Sequence, residues 1–333
     1  MSGRWDHLTD DDVRVRPSRG SRPRTKTRPE HAQAEPGFVA AVDRGRHKVR
    51  LGERWVVAAK ARELGQRAVV VGDQAHLVGD LSGQAGTLAR IVRLTPRRTE
   101  LRRATDEGRG RERVVVANAD LMVIVASAAS PAPKPGLIDR QLVAAHHAGL
   151  EAMICLTKSD LAQATEVKTL YAALGVSVVE TALGRGGLVG LDKLAAALAE
   201  RVTVLVGHSG VGKSTLINAL IPGASRAIGE VNKVTGKGRH TSSSAVALPL
   251  PGGGWAIDTP GVRSFGLGHL DRAEVLEAFK DLAVEAVHCA RGCSHGPDAR
   301  NCWLEQWAAG SPVRRARLES YRRITASLPT PGH

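Results

Sequence analysis

One octapeptide constrains this chain more than anything else in it. Gly207-His208-Ser209-Gly210-Val211-Gly212-Lys213-Ser214 fits G-x-x-x-x-G-K-[ST], with the apolar run RVTVLVG before it and the helical pattern STLINALI after it. That pattern carries chemistry only between a strand and a helix, and these flanks supply both. Glycines let backbone N–H groups wrap a chain of phosphates, and the helix N-terminus adds favourable partial charge. Lys213 is placed to reach the β- and γ-phosphates and to act in catalysis. Ser214 is placed to ligate Mg²⁺, with Thr215 beside it in the first helical turn.

A loop of this kind implies an α/β sheet, and the surrounding sequence has that texture. From Val114 to about Leu270, apolar runs alternate with helical patterns. VVVANADLMVIVASA reads as a strand buried on both faces, followed by helix LIDRQLVAAHHAGL and strand AMICLTKSD. Helix EVKTLYAALG, strand VSVVETA and helix LDKLAAALAE come next, and GWAIDTPG closes the series. Such alternation predicts a mainly parallel sheet covered on both faces.

Three further motifs fit this frame. Asp258-Thr259-Pro260-Gly261 ends a strand downstream of the phosphate loop. Asp258 suits the Mg²⁺ shell, and the Gly261 N–H suits a γ-phosphate sensor. Between the two lies GKGRHTSSSA, where Thr241 is placed as a second hydroxyl ligand to Mg²⁺ that orders its loop only while the γ-phosphate is present. Thr157-Lys158-Ser159-Asp160 ends a predicted strand, where the Asp160 carboxylate can accept from guanine N1–H and N2–H₂. Thr181-Ala182 is a backbone contact for guanine O6. The base motif thus precedes the phosphate loop, the reverse of the common order, as circular permutation allows. After the D-x-x-G turn stands Val262, which cannot orient water as a glutamine does. His240 is the candidate for that role; an RNA contact is the other use for it.

The flanks read differently. Residues 36–104 carry closely spaced short apolar stretches, which predict an OB-type RNA-binding barrel. Its closing segment holds Arg90, Arg93, Arg97, Arg98, Arg102 and Arg103 against Glu100, a landing strip for a polyanion. The formal charge of +14 favours the same kind of partner. Aromatics make up 3% of the chain, so its cores must rest on aliphatic residues. Residues 1–35 predict a disordered basic tail. With no apolar leader and no membrane-length run, the expected compartment is the cytoplasm, and the expected state is a monomer without membrane contact. Residues 271–333 read as helical around Cys289, Cys293, His295 and Cys302, a Cys₃His set suited to one structural Zn²⁺, with His288 the rival fourth ligand. Cys155, inside AMICL, reads as core.

Taken together these residues resemble the bacterial ribosome small-subunit-dependent GTPases, the circularly permuted family known as RsgA or YjeQ. The likeness runs over roughly residues 36–326 and rests on VVVGDQ, TPRRTELRR, VVVANADLMVIVAS, TKSD, GHSGVGKSTLIN, GKGRHTSSS, IDTPGVRSFGL, the cysteine cluster and RLESYRR. The resemblance implies a multidomain chain: an OB barrel, a circularly permuted P-loop α/β GTPase domain over 112–270, and a small helical zinc-binding domain. It implies GTP hydrolysis stimulated by the 30S subunit late in its maturation, with binding to 16S rRNA. Three positions depart from the family pattern. Thr157 stands for the usual Asn, Ser242 for a second Thr, and the metal spacing is C-x3-C-x-H-x6-C where C-x4-C-x-H-x5-C is typical. An RNA-binding module that uses nucleotide as a structural clamp is the alternative from another class.

Overall fold

The computed structural model describes residues 31–43, 45–65, 68–104, 112–225, 245–259 and 267–328. Five short strands come first: β1 (Glu35–Asp43), β2 (Arg46–Leu51), β3 (Arg54–Lys60), β4 (Gln74–Gly79) and β5 (Ala89–Leu94). They run in the order β1-β2-β3-β5-β4, and β1 pairs again with β4 through Glu35↔Leu77 to Phe38↔Gln74, which closes a barrel. All pairs are antiparallel except β3–β5. Alternation along each strand sends Val39, Val49, Val56, Leu77, Ile91 and Leu94 inward, an all-aliphatic filling.

After Leu94 the chain leaves the barrel. Strand β6 (Glu100–Ala104) pairs with β7 (Glu112–Ala117) and with no barrel strand. Arg97 is not part of a free basic strip: its side chain is 8% exposed and forks onto both carboxylate oxygens of the fully buried Asp73, at 2.7 and 2.9 Å. Arg98 pairs with Asp120 and Arg102 with Glu100. Arg90 and Arg93 remain on the outside of β5.

The central sheet uses β8 (Leu121–Ser127), β9 (Glu151–Thr157), β10 (Ser177–Glu180), β13 (Val202–Val206), β14 (Val246–Pro249) and β15 (Trp255–Asp258), ordered β10-β9-β8-β13-β15-β14. Every pairing is parallel except that of β14 with β15. A hairpin, β11 (Ala182–Gly184) and β12 (Gly187–Val189), follows β10. The long run VVVANADLMVIVASA is two strands, not one. Asn118 adopts φ 54°, accepts from the Arg98 N–H and donates to the Gly72 carbonyl, so it turns the chain between β7 and β8.

Helices α1 (Pro135–His147), α2 (Thr165–Ala172), α3 (Leu191–Leu198) and α4 (Lys213–Leu220) cover the sheet. Strand β8 is buried at all seven positions, and its alternate residues feed two cores. Met122 and Ile124 join Ile138 and Tyr171 from α1 and α2. Val123 and Val125 join Leu194 and Leu216 from α3 and α4.

Barrel and sheet meet where Ala41 of β1 pairs with Val246 of β14. The Phe38 ring stacks on Trp255 at 4.4 Å, and Trp55 meets Trp255 edge-on at 6.0 Å. Beyond the sheet lie α5 (Arg272–Ala278), α6 (Lys280–Ala286), α7 (Trp303–Ala309) and α8 (Pro312–Ala326). Asp271 and Glu274 form a reciprocal capping box on α5. Among the described residues no helix is long and apolar enough to cross a membrane.

Candidate nucleotide site and metal centre

Because β8, β9, β13 and β15 are parallel, their C-terminal ends open on one edge, where ligands of open α/β sheets bind. The loop after β13 is the phosphate-loop octapeptide. A Cβ on Gly207 would stand 2.3 Å from the Val125 carbonyl oxygen, so glycine is required for the loop to pass β8. Gly212 adopts φ 99° and turns the chain into α4. Val211 plugs the loop into the core beneath, being 4% exposed. His208, Ser209, Gly210, Ser214 and Thr215 are exposed. Lys213 folds back over the loop, its ammonium donating to the carbonyls of Gly207 (2.5 Å) and His208 (3.1 Å).

Asp258 ends β15 next to this lysine. Burial pushes the Asp258 carboxyl above the usual carboxylate range, opposed by the Lys213 charge and by the Thr259 N–H. Burial likewise pulls the Lys213 ammonium below its ordinary value, opposed by Asp258. Thr259 is buried and donates to the Leu205 carbonyl at 3.0 Å, which pins the end of β15 to β13. His240, Thr241 and Gly261 lie outside the described residues.

The loop after β9 closes on the phosphate loop from the other side. Thr157, 5% exposed, donates its hydroxyl to the Val211 carbonyl at 2.5 Å, with the Ala126 carbonyl at 3.3 Å. Lys158, at φ 59°, sends its ammonium to the Gly210 carbonyl at 2.8 Å and to that of Ser130. The buried Thr181 donates its N–H to Leu156, and its carbonyl accepts from the Ser159 N–H at 3.2 Å. Asp160 is exposed and accepts from the Leu183 N–H at 3.0 Å. Thr157, Lys158, Asp160, Thr181 and Ala182 therefore form one ledge against Gly210 and Val211. Sequence reasoning missed the Leu183 N–H that holds Asp160, and the Ser130 carbonyl that receives Lys158. Both are backbone groups, which leave no signature in residue type.

A family model described as RsgA GTPase matches residues 94–268. A small ribosomal subunit biogenesis GTPase RsgA of Pseudomonas aeruginosa (strain LESB58) is 40% identical over 269 residues, spanning 79% of this chain and 76% of that one. This chain belongs to the RsgA GTPase family. It is a GTP hydrolase by that membership. The RsgA of Azotobacter vinelandii is 41% identical over 271 residues, with 79% and 76% covered. In fold, the RsgA-type chain is similar to YjeQ from Thermotoga maritima, at TM-score 0.67 and 23% identity over 88% of this chain and 98% of that one. It is also similar to YloQ, described as a circularly permuted GTPase, at TM-score 0.64 and 22% identity over 90% and 97%. A permuted order puts the base ledge on β9 and the phosphate loop on β13 of one sheet, which is the arrangement seen here.

The second site of this RsgA-family chain lies between α6 and α7. The ligand atoms of Cys289, Cys293, His295 and Cys302 all fall within 4.8 Å of one another. The Cys289 and Cys302 sulfurs are 3.9 Å apart, and Cys302 Sγ is 3.7 Å from His295 Nδ1. A tetrahedron with Zn–S bonds of about 2.3 Å has edges of about 3.8 Å, so the donor set fits zinc in both chemistry and size. His295 reaches it from φ 50°, and Arg322 of α8 holds that turn by donating to the carbonyls of His295 and Gly296. The rival His288 packs its ring against Trp303 at 5.4 Å, outside the set.

Proposed function

We propose that this chain binds GTP with Mg²⁺ at the edge formed by β8, β9, β13 and β15, and that its hydrolysis drives a late step of small-subunit maturation. The observation that carries the reading is the hydrogen-bonded tie from Thr157 and Lys158 to Val211 and Gly210, because it joins a base ledge and a phosphate loop encoded in reverse order. Asp160 accepts from guanine N1–H and N2–H₂, while the Thr181–Ala182 backbone meets O6. The loop from Gly207 to Thr215 cradles the phosphates, and Lys213 leaves the Gly207 and His208 carbonyls for the β- and γ-phosphates. Ser214, Thr241 and Asp258 hold the Mg²⁺ shell, which neutralises charge between those phosphates. Gly261 senses the γ-phosphate. His240 orients the water that attacks γ-phosphorus, since Val262 has no polar group to do so; GDP and phosphate leave.

Charge of +14 and the barrel suit a 16S rRNA partner. The relatives' name, small ribosomal subunit biogenesis GTPase, points to the 30S particle, and hence to a cytoplasmic protein acting as a monomer. The Cys₃His set holds one structural Zn²⁺.

Turnover of GTP and ATP, measured with and without purified 30S subunits, tests this. The expected result is slow GTP hydrolysis alone, acceleration by 30S, and little ATP turnover in either case. Equal GTP rates with and without 30S would sink the coupling. Lys213→Ala should abolish nucleotide binding, whereas Thr241→Ala should retain binding and lose hydrolysis. Normal hydrolysis by Thr241→Ala would instead favour a nucleotide clamp.

A further inference from the structure

Resting on the guanine reading above, we infer that Thr157 is a positioning residue that locks the base ledge to the phosphate loop and leaves guanine N7 without a side-chain donor. This protein should therefore hold guanine nucleotides equally well with and without a hydrogen-bond acceptor at that ring position.

A threonine hydroxyl carries one proton. At Thr157 two acceptors compete for it, the carbonyls of Val211 at 2.5 Å and Ala126 at 3.3 Å, and both belong to the protein. The side chain is buried behind the ledge, and a Cβ built on Gly212 would meet its Oγ1 at 3.5 Å and its Cγ2 at 3.7 Å. The hydroxyl is thus enclosed on the side of the phosphate loop. Leaving the Val211 carbonyl unpaired there would cost more than a new bond to a ligand returns.

The rest of the base edge is already assigned. Asp160 takes N1 and N2, and Ala182 meets O6; the next acceptor round the purine is N7, on the side where β9 ends at Thr157. The Lys158 ammonium lies on the carbonyls of Gly210 and Ser130. An amide at position 157 has two N–H protons, enough to bond a loop carbonyl and a ring nitrogen together. A hydroxyl has to choose, and here it bonds the loop.

Equilibrium binding of GDP, 7-deaza-GDP and ADP to the full chain tests this, with Thr157→Ser, Thr157→Val and Thr157→Asn alongside. Wild type should bind GDP and 7-deaza-GDP within about twofold of each other. Thr157→Ser should behave like wild type. Thr157→Val should lose about tenfold on both nucleotides with their ratio unchanged, since a buried carbonyl loses its donor. Thr157→Asn should create a preference for GDP over 7-deaza-GDP of about 2- to 10-fold, the worth of one hydrogen bond. Thermal melts check that each variant is folded, and the wild-type and serine ratios test the idea even if another variant is not. A wild-type preference for GDP over 7-deaza-GDP of fivefold or more would overturn the inference, as would wild-type affinity in Thr157→Val. Failure of wild type to prefer GDP over ADP would overturn the guanine reading itself, and this inference with it.

Discussion

Lys213 and Asp258 show how one buried pair sets the conditions for activity. Each is pushed toward its neutral form by burial and held charged by the other. The Mg²⁺ shell needs Asp258 ionised and the phosphates need Lys213 protonated. The free-enzyme profile of kcat/KM against pH should accordingly have its acid limb above the ordinary carboxylate range and its alkaline limb below the ordinary lysine range. Rate measurements across both limbs check this; an acid limb at the pH of an exposed aspartate would contradict it. For folding of the ligand-free protein the sign is the reverse of the usual aspartate case. A raised Asp258 pKa means the folded state binds its proton more readily than the unfolded chain. This site therefore adds stability as pH falls through that raised value and withdraws it as pH rises. At this scale the sequence was most legible, since Lys213 and Asp160 are identified by contiguous motifs. The role of Thr157 was not: its partner Val211 is 54 residues away.

Among the elements, α8 joins the C-terminal helices to the nucleotide-binding sheet through one buried cation. Arg317, with its side chain 7% exposed, donates to Asp139 of α1 at 2.8 Å and to Asp281 of α6 at 3.2 Å, and lies over the Phe279 ring at 4.2 Å. Tyr171 of α2 donates to the same Asp139 at 3.1 Å. Burial already raises the Asp139 pKa against the pull of Arg317. Arg317→Ala should therefore destabilise by about 3–5 kcal/mol, because it leaves a carboxyl buried without its partner. Replacing Arg317 and Asp139 together by Met and Leu should cost much less, and urea melts of both variants decide it. Sequence periodicity located α1 and α8, yet it marked VRRARLESYRRI only as a basic helix. Which arginine turns inward depends on the helices packed against it. Arg97 illustrates the same point in the barrel, since nothing local separates it from Arg98, and only the approach of Asp73 from 24 residues away buries it.

Across the whole molecule, three modules share few but specific joints: the Phe38–Trp255–Trp55 ring cluster, the Arg317 network and the Cys₃His turn. The helices beyond Asp271 gain most from a metal, because the C-terminal end of that cluster is also the N-cap of α7 at Cys302. Stripping zinc with a chelator should lower helical content and the melting temperature, zinc should restore both, and binding of GDP should survive; an unchanged melt would exclude a structural ion. From its order of residues alone, the chain determined which side chains do chemistry, because phosphate loop, base carboxylate and metal donors are short-range patterns in which spacing is itself the geometry. Tertiary structure decided everything that depends on distant segments meeting. It set the split at Asn118, the burial of Arg97, the partner of the Thr157 hydroxyl and the exclusion of His288 from the donor set. Hydrogen bonds and ion pairs between residues tens of positions apart impose no period on the sequence, so they become visible only once the strands are side by side.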